Sequence, residues 1–121
     1  MALILIADDD VWFRNLLGKM LEKEGHTTVE AVDGAAALDV MRERQPDAVI
    51  LDMLMPNMDG ADAIVAMERQ GLRIPLIAMS GGRRTITPEF NLESARLLGA
   101  RTCLPKPFTA AQLRTALGEV L

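Results

Sequence analysis

The chain has little cysteine, few aromatic residues and no long hydrophobic run. Its 121 residues include one cysteine, Cys103, so no disulfide can form within the chain, which agrees with a reducing compartment. There is no tyrosine, there are one tryptophan and three phenylalanines, and the net charge is −4, so a basic or aromatic platform for nucleic acid is lacking. The sequence has neither an apolar run of membrane-spanning length nor a secretion signal. We therefore expect a cytoplasmic protein that binds neither nucleic acid nor membrane directly.

The length and composition indicate one globular domain. Half of the residues are hydrophobic and 25% are charged, which is ordinary for a folded domain. A chain of 121 residues can bury one good core but not two. We expect a single domain over residues 1–121 with no linker and no output domain in this chain.

Five short apolar runs alternate with five segments of helical periodicity. The runs cover residues 3–7, 27–31, 48–51, 75–79 and 101–104. The segments between and after them repeat apolar residues at helical spacing, beginning near Phe13, Ala37, Ala63, Leu92 and Leu113. A repeated strand and helix unit with right-handed crossovers predicts an α/β fold with an open, doubly wound parallel sheet.

Polar side chains follow four of the predicted strands. Asp8 and Asp9 follow the first run, Asp52 follows the third, Ser80 the fourth and Lys106 the fifth. In an open α/β sheet, ligands bind outside the carboxyl ends of the strands. We therefore expect these side chains to meet at one edge of the sheet.

Three carboxylates at one edge repel one another. At a separation of roughly 5 Å and an effective dielectric constant near 20, each charged pair costs about 3 kcal/mol. A Mg²⁺ ion would relieve this repulsion, and Lys106 offers a further positive charge. A carboxylate beside such cations can attack a phosphoryl group and form an aspartyl-phosphate, whose oxygens the Ser80 hydroxyl can contact.

The same residues carry a resemblance to a known family. The chain has Asp8-Asp9 after the first strand, Asp-Met-Leu-Met-Pro-Asn-Met-Asp-Gly over residues 52–60, Met79-Ser80-Gly81, and Lys106-Pro107-Phe108. This set, in this order, resembles the response-regulator receiver domains of two-component signalling, and the likeness covers the whole chain. It implies a flavodoxin-like fold, with a five-stranded parallel sheet in the order 2-1-3-4-5 and five helices.

The resemblance also implies a role for each site residue. Asp52 is expected to accept the phosphoryl group, and Ser80 and Lys106 to contact it. The implied Mg²⁺ ligands are Asp8, Asp9, Asp52 and the backbone carbonyl of Leu54. A cis peptide is implied between Lys106 and Pro107, where the cis form is far more accessible than at other residues.

The resemblance implies partners and an output. The phosphoryl donor is expected to be a histidine kinase or a histidine phosphotransfer protein. The chain would catalyse only its own phosphorylation and dephosphorylation, and would signal by contact with an unidentified protein or by passing the phosphate on. The resemblance leaves open whether the chain forms a homodimer on phosphorylation.

Two other functions compete with this interpretation. One is a pseudo-receiver that acts by constitutive contact, against which the complete set of acids, hydroxyl and lysine argues. The other is a haloacid-dehalogenase type of phosphohydrolase, which needs a second acid two residues after the nucleophile, where this chain has Leu54.

Two departures from the receiver pattern concern how a signal would leave the site. Cys103 stands where receivers commonly have an aromatic residue that changes position on phosphorylation, and a compact thiol cannot reproduce the movement of a large ring. The connection from Ser80 to the turn at Gly99 is longer than in compact chemotaxis-type receivers, and it includes residues 81–88, which contain two glycines. We expect them to become ordered on phosphorylation, with Arg83 or Arg84 near the phosphate or a partner.

Overall fold

Strands and helices alternate along the part of the chain that the computed structural model describes, which is residues 1–80 and 99–121. The strands of this part are β1 (Leu3–Ala7), β2 (Thr27–Ala31), β3 (Ala48–Asp52), β4 (Leu76–Ser80) and β5 (Thr102–Pro105). Its helices are α1 (Val11–Lys23), α2 (Gly34–Arg44), α3 (Gly60–Gln70) and α4 (Ala110–Val120). The predicted helix near Leu92 and the predicted ordering of residues 81–88 lie outside the described residues.

The five strands form one parallel sheet in the order β2-β1-β3-β4-β5. The predicted α/β class and the predicted strand order 2-1-3-4-5 are therefore confirmed. Strand β3 runs one residue further than the apolar pattern indicated, because Asp52 pairs with Met79 and the Met53 amide donates to the Met79 carbonyl at 2.9 Å. Asp52 is therefore the last residue of a fully buried strand, where the sheet fixes its backbone.

The core consists of two layers, one on each face of the sheet. Alternate residues of the central strands point to opposite faces, so that Leu5, Val49 and Leu51 pack with α2 and α3. On the other face, Ile4, Ile6, Ile50, Ile77 and Met79 pack with Leu17 and Leu21 of α1 and Leu113 and Leu117 of α4. Each fully buried leucine or isoleucine contributes roughly 1.5–3 kcal/mol, and both faces anchor the strands that lead to the carboxyl edge.

Every helix among residues 1–80 and 99–121 begins at a side-chain cap. Asp10, Asp33 and Asp59 accept hydrogen bonds from the first-turn amides of α1, α2 and α3. Thr109 and Gln112 form the capping box of α4. These caps fix where each connection leaves the carboxyl edge of the sheet. Within the described part of the chain, no helix is long and apolar enough to cross a bilayer.

Candidate functional site

Three polar side chains are buried among the described residues, and all three lie at the carboxyl edge of the sheet. Asp8 follows β1, Asp52 ends β3 and Ser80 ends β4, and each is at most 1% exposed. A buried carboxylate is unfavourable unless charges or hydrogen bonds compensate it. The edge must therefore supply positive charge.

Lys106 supplies that charge. Its Nζ lies 2.7 Å from Oδ2 of Asp8 and 3.1 Å from Oδ2 of Asp52, and its side chain is 10% exposed. Its backbone amide donates to the Ser80 carbonyl at 2.8 Å, which ties β5 to the end of β4. The peptide from Lys106 to Pro107 is cis, as predicted.

The other carboxylate oxygens bind backbone amides. Oδ1 of Asp8 accepts from the Asp10 amide at 2.9 Å, and Oδ1 of Asp52 accepts from the Leu54 amide at 3.1 Å. In each carboxylate, one oxygen thus accepts a hydrogen bond from a backbone amide and the other contacts the Lys106 ammonium. This fixes the orientation of both groups before any ligand binds.

The environment of Asp52 changes its acidity. The pKa of Asp52 is raised from 3.8 to about 6, mainly by burial; the Lys106 ammonium lowers it and the Asp8 carboxylate raises it within this net result. A group with this pKa is mostly ionised at neutral pH. Its carboxylate is also less solvated than an exposed one, which favours its action as a nucleophile.

The acidic residues fit a small divalent cation. Asp8, Asp9 and Asp52 each offer a carboxylate oxygen, and these oxygens lie within 4.8 Å of one another. Carboxylate oxygens are ligands that Mg²⁺ prefers in proteins, so these three residues would hold such an ion. When ionised, three carboxylates against one ammonium leave two negative charges, which a divalent ion neutralises. Asp9 is exposed and faces the solvent side of this cluster.

The structure brings together the residues that the sequence predicts for the site. Asp8, Asp52 and Lys106 are in direct contact, Asp9 joins the acidic cluster, and Ser80 is buried on the adjacent strand. The contribution of the Leu54 carbonyl to metal binding stays a prediction.

Two residues near the site were missed at the level of sequence. Arg14 donates from Nη1 to the Asp8 carbonyl at 2.7 Å and from Nε to Glu30 at 2.7 Å, so it holds the turn after β1. The ring centroid of Phe13 lies 4.4 Å from Nζ of Lys106. Helical periodicity placed Phe13 on the apolar face of a helix but gave no contact with Lys106. One sequence signal was available: Phe13 follows the capping Asp10 by three residues, so it lies in the helix turn nearest to Asp8 and Asp9.

A doubly wound parallel sheet that carries a buried, lysine-paired carboxylate within an acidic cluster fits a phosphoryl-accepting signalling module. The comparisons with known proteins specify the family. A family model described as "Response regulator receiver domain" matches residues 4–118. The chain belongs to the response-regulator receiver family.

Relatives and solved structures agree with this assignment. The chain is 36% identical to sporulation initiation phosphotransferase F of Bacillus subtilis over 119 residues, which is 98% of this chain and 92% of that protein. The receiver domain of NtrX from Brucella abortus superposes with a TM-score of 0.87 at 31% identity, with 98% of this chain and 97% of that one covered. The chemotaxis protein CheY4 of Vibrio cholerae superposes with a TM-score of 0.86 at 29% identity, and the match covers 100% of this chain and 99% of that one.

Several matched proteins are longer than this chain. It spans 50% of the length of response regulator MprA of a Mycobacterium species and 16% of the length of the sensory/regulatory protein RpfC of Xanthomonas campestris. What is shared is the receiver domain, a signalling module that accepts a phosphoryl group from a histidine kinase or a phosphotransfer protein, and the acidic cluster of Asp8, Asp9 and Asp52 fits its phospho-acceptor site.

Proposed function

We propose that Asp52 is the phospho-acceptor of this receiver. The observation that carries the proposal is its position: a buried carboxylate at the end of β3, 3.1 Å from the Lys106 ammonium and within the acidic cluster. One Asp52 oxygen forms a bond to phosphorus while the bond from phosphorus to the donor nitrogen of a phosphohistidine breaks, and the released imidazole retains its nitrogen electron pair. The donor is a histidine kinase or a phosphotransfer protein.

The other site residues support this transfer. Lys106 balances charge on the transferring oxygens, and the Ser80 hydroxyl contacts the phosphoryl group. Asp8, Asp9, Asp52 and the Leu54 carbonyl would hold Mg²⁺, which would supply Lewis-acid stabilisation of the same charge. The chain acts on itself only, by forming and hydrolysing its own aspartyl-phosphate.

The proposal extends to the whole chain and its output. Residues 1–121 form one domain that works in the cytoplasm. Its phosphorylated form signals through contact with another protein or by passing the phosphoryl group on, and a phosphorylation-dependent homodimer is one form that this contact can take.

Intact mass spectrometry tests the phospho-acceptor directly. The wild-type protein, incubated with acetyl phosphate and Mg²⁺, is expected to gain the mass of one phosphoryl group, and Asp52→Ala is expected to gain none. Asp62→Ala is the matched control, because Asp62 is an exposed acid in the first turn of α3. If the wild type gains no mass, from acetyl phosphate or from an active histidine kinase, the pseudo-receiver is the better interpretation.

A further inference from the structure

The ring of Phe13 lies against the ammonium group of Lys106. The ring belongs to the first turn of α1, and its centroid is 4.4 Å from Nζ, within the range of a cation–π interaction. The same Nζ contacts the Asp8 and Asp52 carboxylates. We propose that Phe13 is a positioning residue that holds the Lys106 ammonium in place for phosphoryl transfer, an inference that rests on the proposed function.

The need for such a residue follows from the other partners of Lys106. Asp8 and Asp52 bind the ammonium here, but in the proposed reaction a bound cation would share the charge of both carboxylates, and the negative charge of Asp52 would move from its carboxylate oxygens to the phosphoryl oxygens. Their attraction for the ammonium then falls. The attraction of the ring face does not depend on the charge of either carboxylate, so it persists through the reaction.

The ring is held in position by its surroundings. Phe108 meets Phe13 edge to face, with ring centroids 5.8 Å apart and an angle of 83° between the planes. Both rings pack against the core layer of α1 and α4. Since Phe108 lies two residues after Lys106, the chain segment that carries the ammonium also carries the ring that orients Phe13.

Packing alone is the competing explanation, and it makes different predictions. A leucine at position 13 fills apolar space but attracts no cation, whereas a tyrosine keeps the ring face. At a largely buried site, a cation–π interaction corresponds to about a five- to thirtyfold change in an equilibrium constant. We expect Phe13→Leu to slow phosphorylation by acetyl phosphate about fivefold or more, and Phe13→Tyr to retain most of the rate.

A spectroscopic signal reports the contact without any reaction. The chain has three lysines, so selective ¹³C labelling gives three sets of ε-methylene signals, which Lys19→Arg and Lys23→Arg assign. The Lys106 ε-methylene protons are expected upfield of the other two because of the ring current. The shift should survive addition of Mg²⁺ and disappear in Phe13→Leu. A wild-type shift that is absent, or that Mg²⁺ abolishes, would overturn the proposal.

Fluorination of the ring separates electrostatics from shape. One, two and then more fluorines on Phe13 weaken the negative ring face with little change in size, so the phosphorylation rate should fall stepwise while the melting temperature stays constant.

Two outcomes of the rate measurements would contradict the positioning role of Phe13. Equal rates across the fluorinated series would overturn its role even if the wild type is phosphorylated normally. If the wild type itself is not phosphorylated, the proposed function fails and the positioning role fails with it. The upfield shift of Lys106 then shows that the contact exists but serves no phosphoryl transfer.

Discussion

Burial makes the charge of Asp52 sensitive to its partners. Its carboxylate is 1% exposed and depends on the Lys106 ammonium and the Leu54 amide for compensation. Water is excluded from this buried carboxylate, so the electrostatic interaction with each neighbouring charge is stronger than it would be in water. The acidity of Asp52 is therefore a direct measure of how the site is assembled.

The first prediction at this scale concerns pH. The pKa of Asp52 is raised in the folded state to about 6, mainly by burial, so the folded protein binds more protons than the unfolded chain between its ordinary pKa and about 6. The stability that Asp52 contributes is full below its unfolded pKa and is lost as the pH rises through about 6. Without Mg²⁺, the wild type should lose up to about 3 kcal/mol relative to Asp52→Asn between pH ~4 and ~7.

Urea denaturation of both proteins across this range measures the difference. Carboxyls that do not interact with Asp52 contribute equally to both proteins and cancel in the comparison; one of them is Asp33, whose pKa is lowered mainly by its hydrogen bond from the Ala36 amide. A wild type that gains stability relative to Asp52→Asn as the pH rises would contradict the effect of burial.

The second prediction concerns Mg²⁺. An ion that binds the folded acids and not the unfolded chain stabilises by mass action, by about 1.4 kcal/mol at ten times its dissociation constant. The melting temperature of the wild type should rise in millimolar Mg²⁺, and Asp9→Asn should remove most of the rise. Asp62→Asn, at an exposed acid outside the cluster, should respond like the wild type. An unchanged response of Asp9→Asn would exclude Asp9 as a ligand.

Single residues differ in how far the sequence predicts them. The acids, Ser80 and Lys106 could be predicted because each follows an apolar strand, and parallel strands end at one edge. Phe13 and Arg14 could not, because their contacts depend on the direction in which a side chain leaves the first turn of α1. Periodicity gives the face of a helix but not which atom a side chain reaches.

Between elements, close backbone contacts fix the loop that follows Asp52. A Cβ atom on Gly60, at the start of α3, would lie 2.6 Å from Cα of Met53 and 2.7 Å from the Asp52 carbonyl. The Gly60 amide also donates to the Met53 carbonyl at 3.2 Å. The helix therefore begins directly against the backbone of Asp52 and Met53.

The third prediction tests this contact. Gly60→Ala should destabilise the protein by roughly 1–3 kcal/mol, because the backbone of Asp52 and Met53 must move, and it should also slow phosphorylation. Chemical denaturation and the acetyl phosphate assay measure the two effects.

Gly118→Ala is the matched control for Gly60→Ala. Gly118 lies in α4, and a Cβ atom there meets nothing within 4 Å. This variant should be neutral or more stable by roughly 0.5–1 kcal/mol, with an unchanged phosphorylation rate. Equal behaviour of the two alanine variants would mean that the close approach at Gly60 does not constrain the site.

The sequence predicts the elements well because their signals are local. Strands β1 and β2 agree with the apolar runs at both ends, while β3, β4 and β5 end one residue later than their runs. The pattern ends where apolar residues end, but backbone pairing continues through Asp52, Ser80 and Pro105. Asp52 and Ser80 lie where the two criteria differ, because a polar side chain at the end of a strand interrupts the apolar pattern but not the backbone pairing of the sheet.

At the scale of the whole molecule, the central strands contribute to both core layers. Leu5 and Leu51 face α2 and α3, while Ile4, Ile6 and Ile50 on the same strands face α1 and α4. Loss of either layer would expose one face of β1 and β3, so neither layer can open alone without disturbing the other. The carboxyl edge depends on both.

The fourth prediction follows from this shared sheet. Residues 1–121 should unfold in one cooperative transition, with equal calorimetric and van 't Hoff enthalpies. Leu51→Ala and Ile50→Ala remove fully buried side chains from opposite faces of β3, and each should lower the free energy of unfolding by roughly 2–5 kcal/mol. Because both layers are attached to the same strands, each variant should shift the whole transition, as followed by far-ultraviolet circular dichroism and by Trp12 fluorescence. If one variant produced two separate transitions, the two layers would be independent units, and residues 1–121 would not form the single domain that we propose.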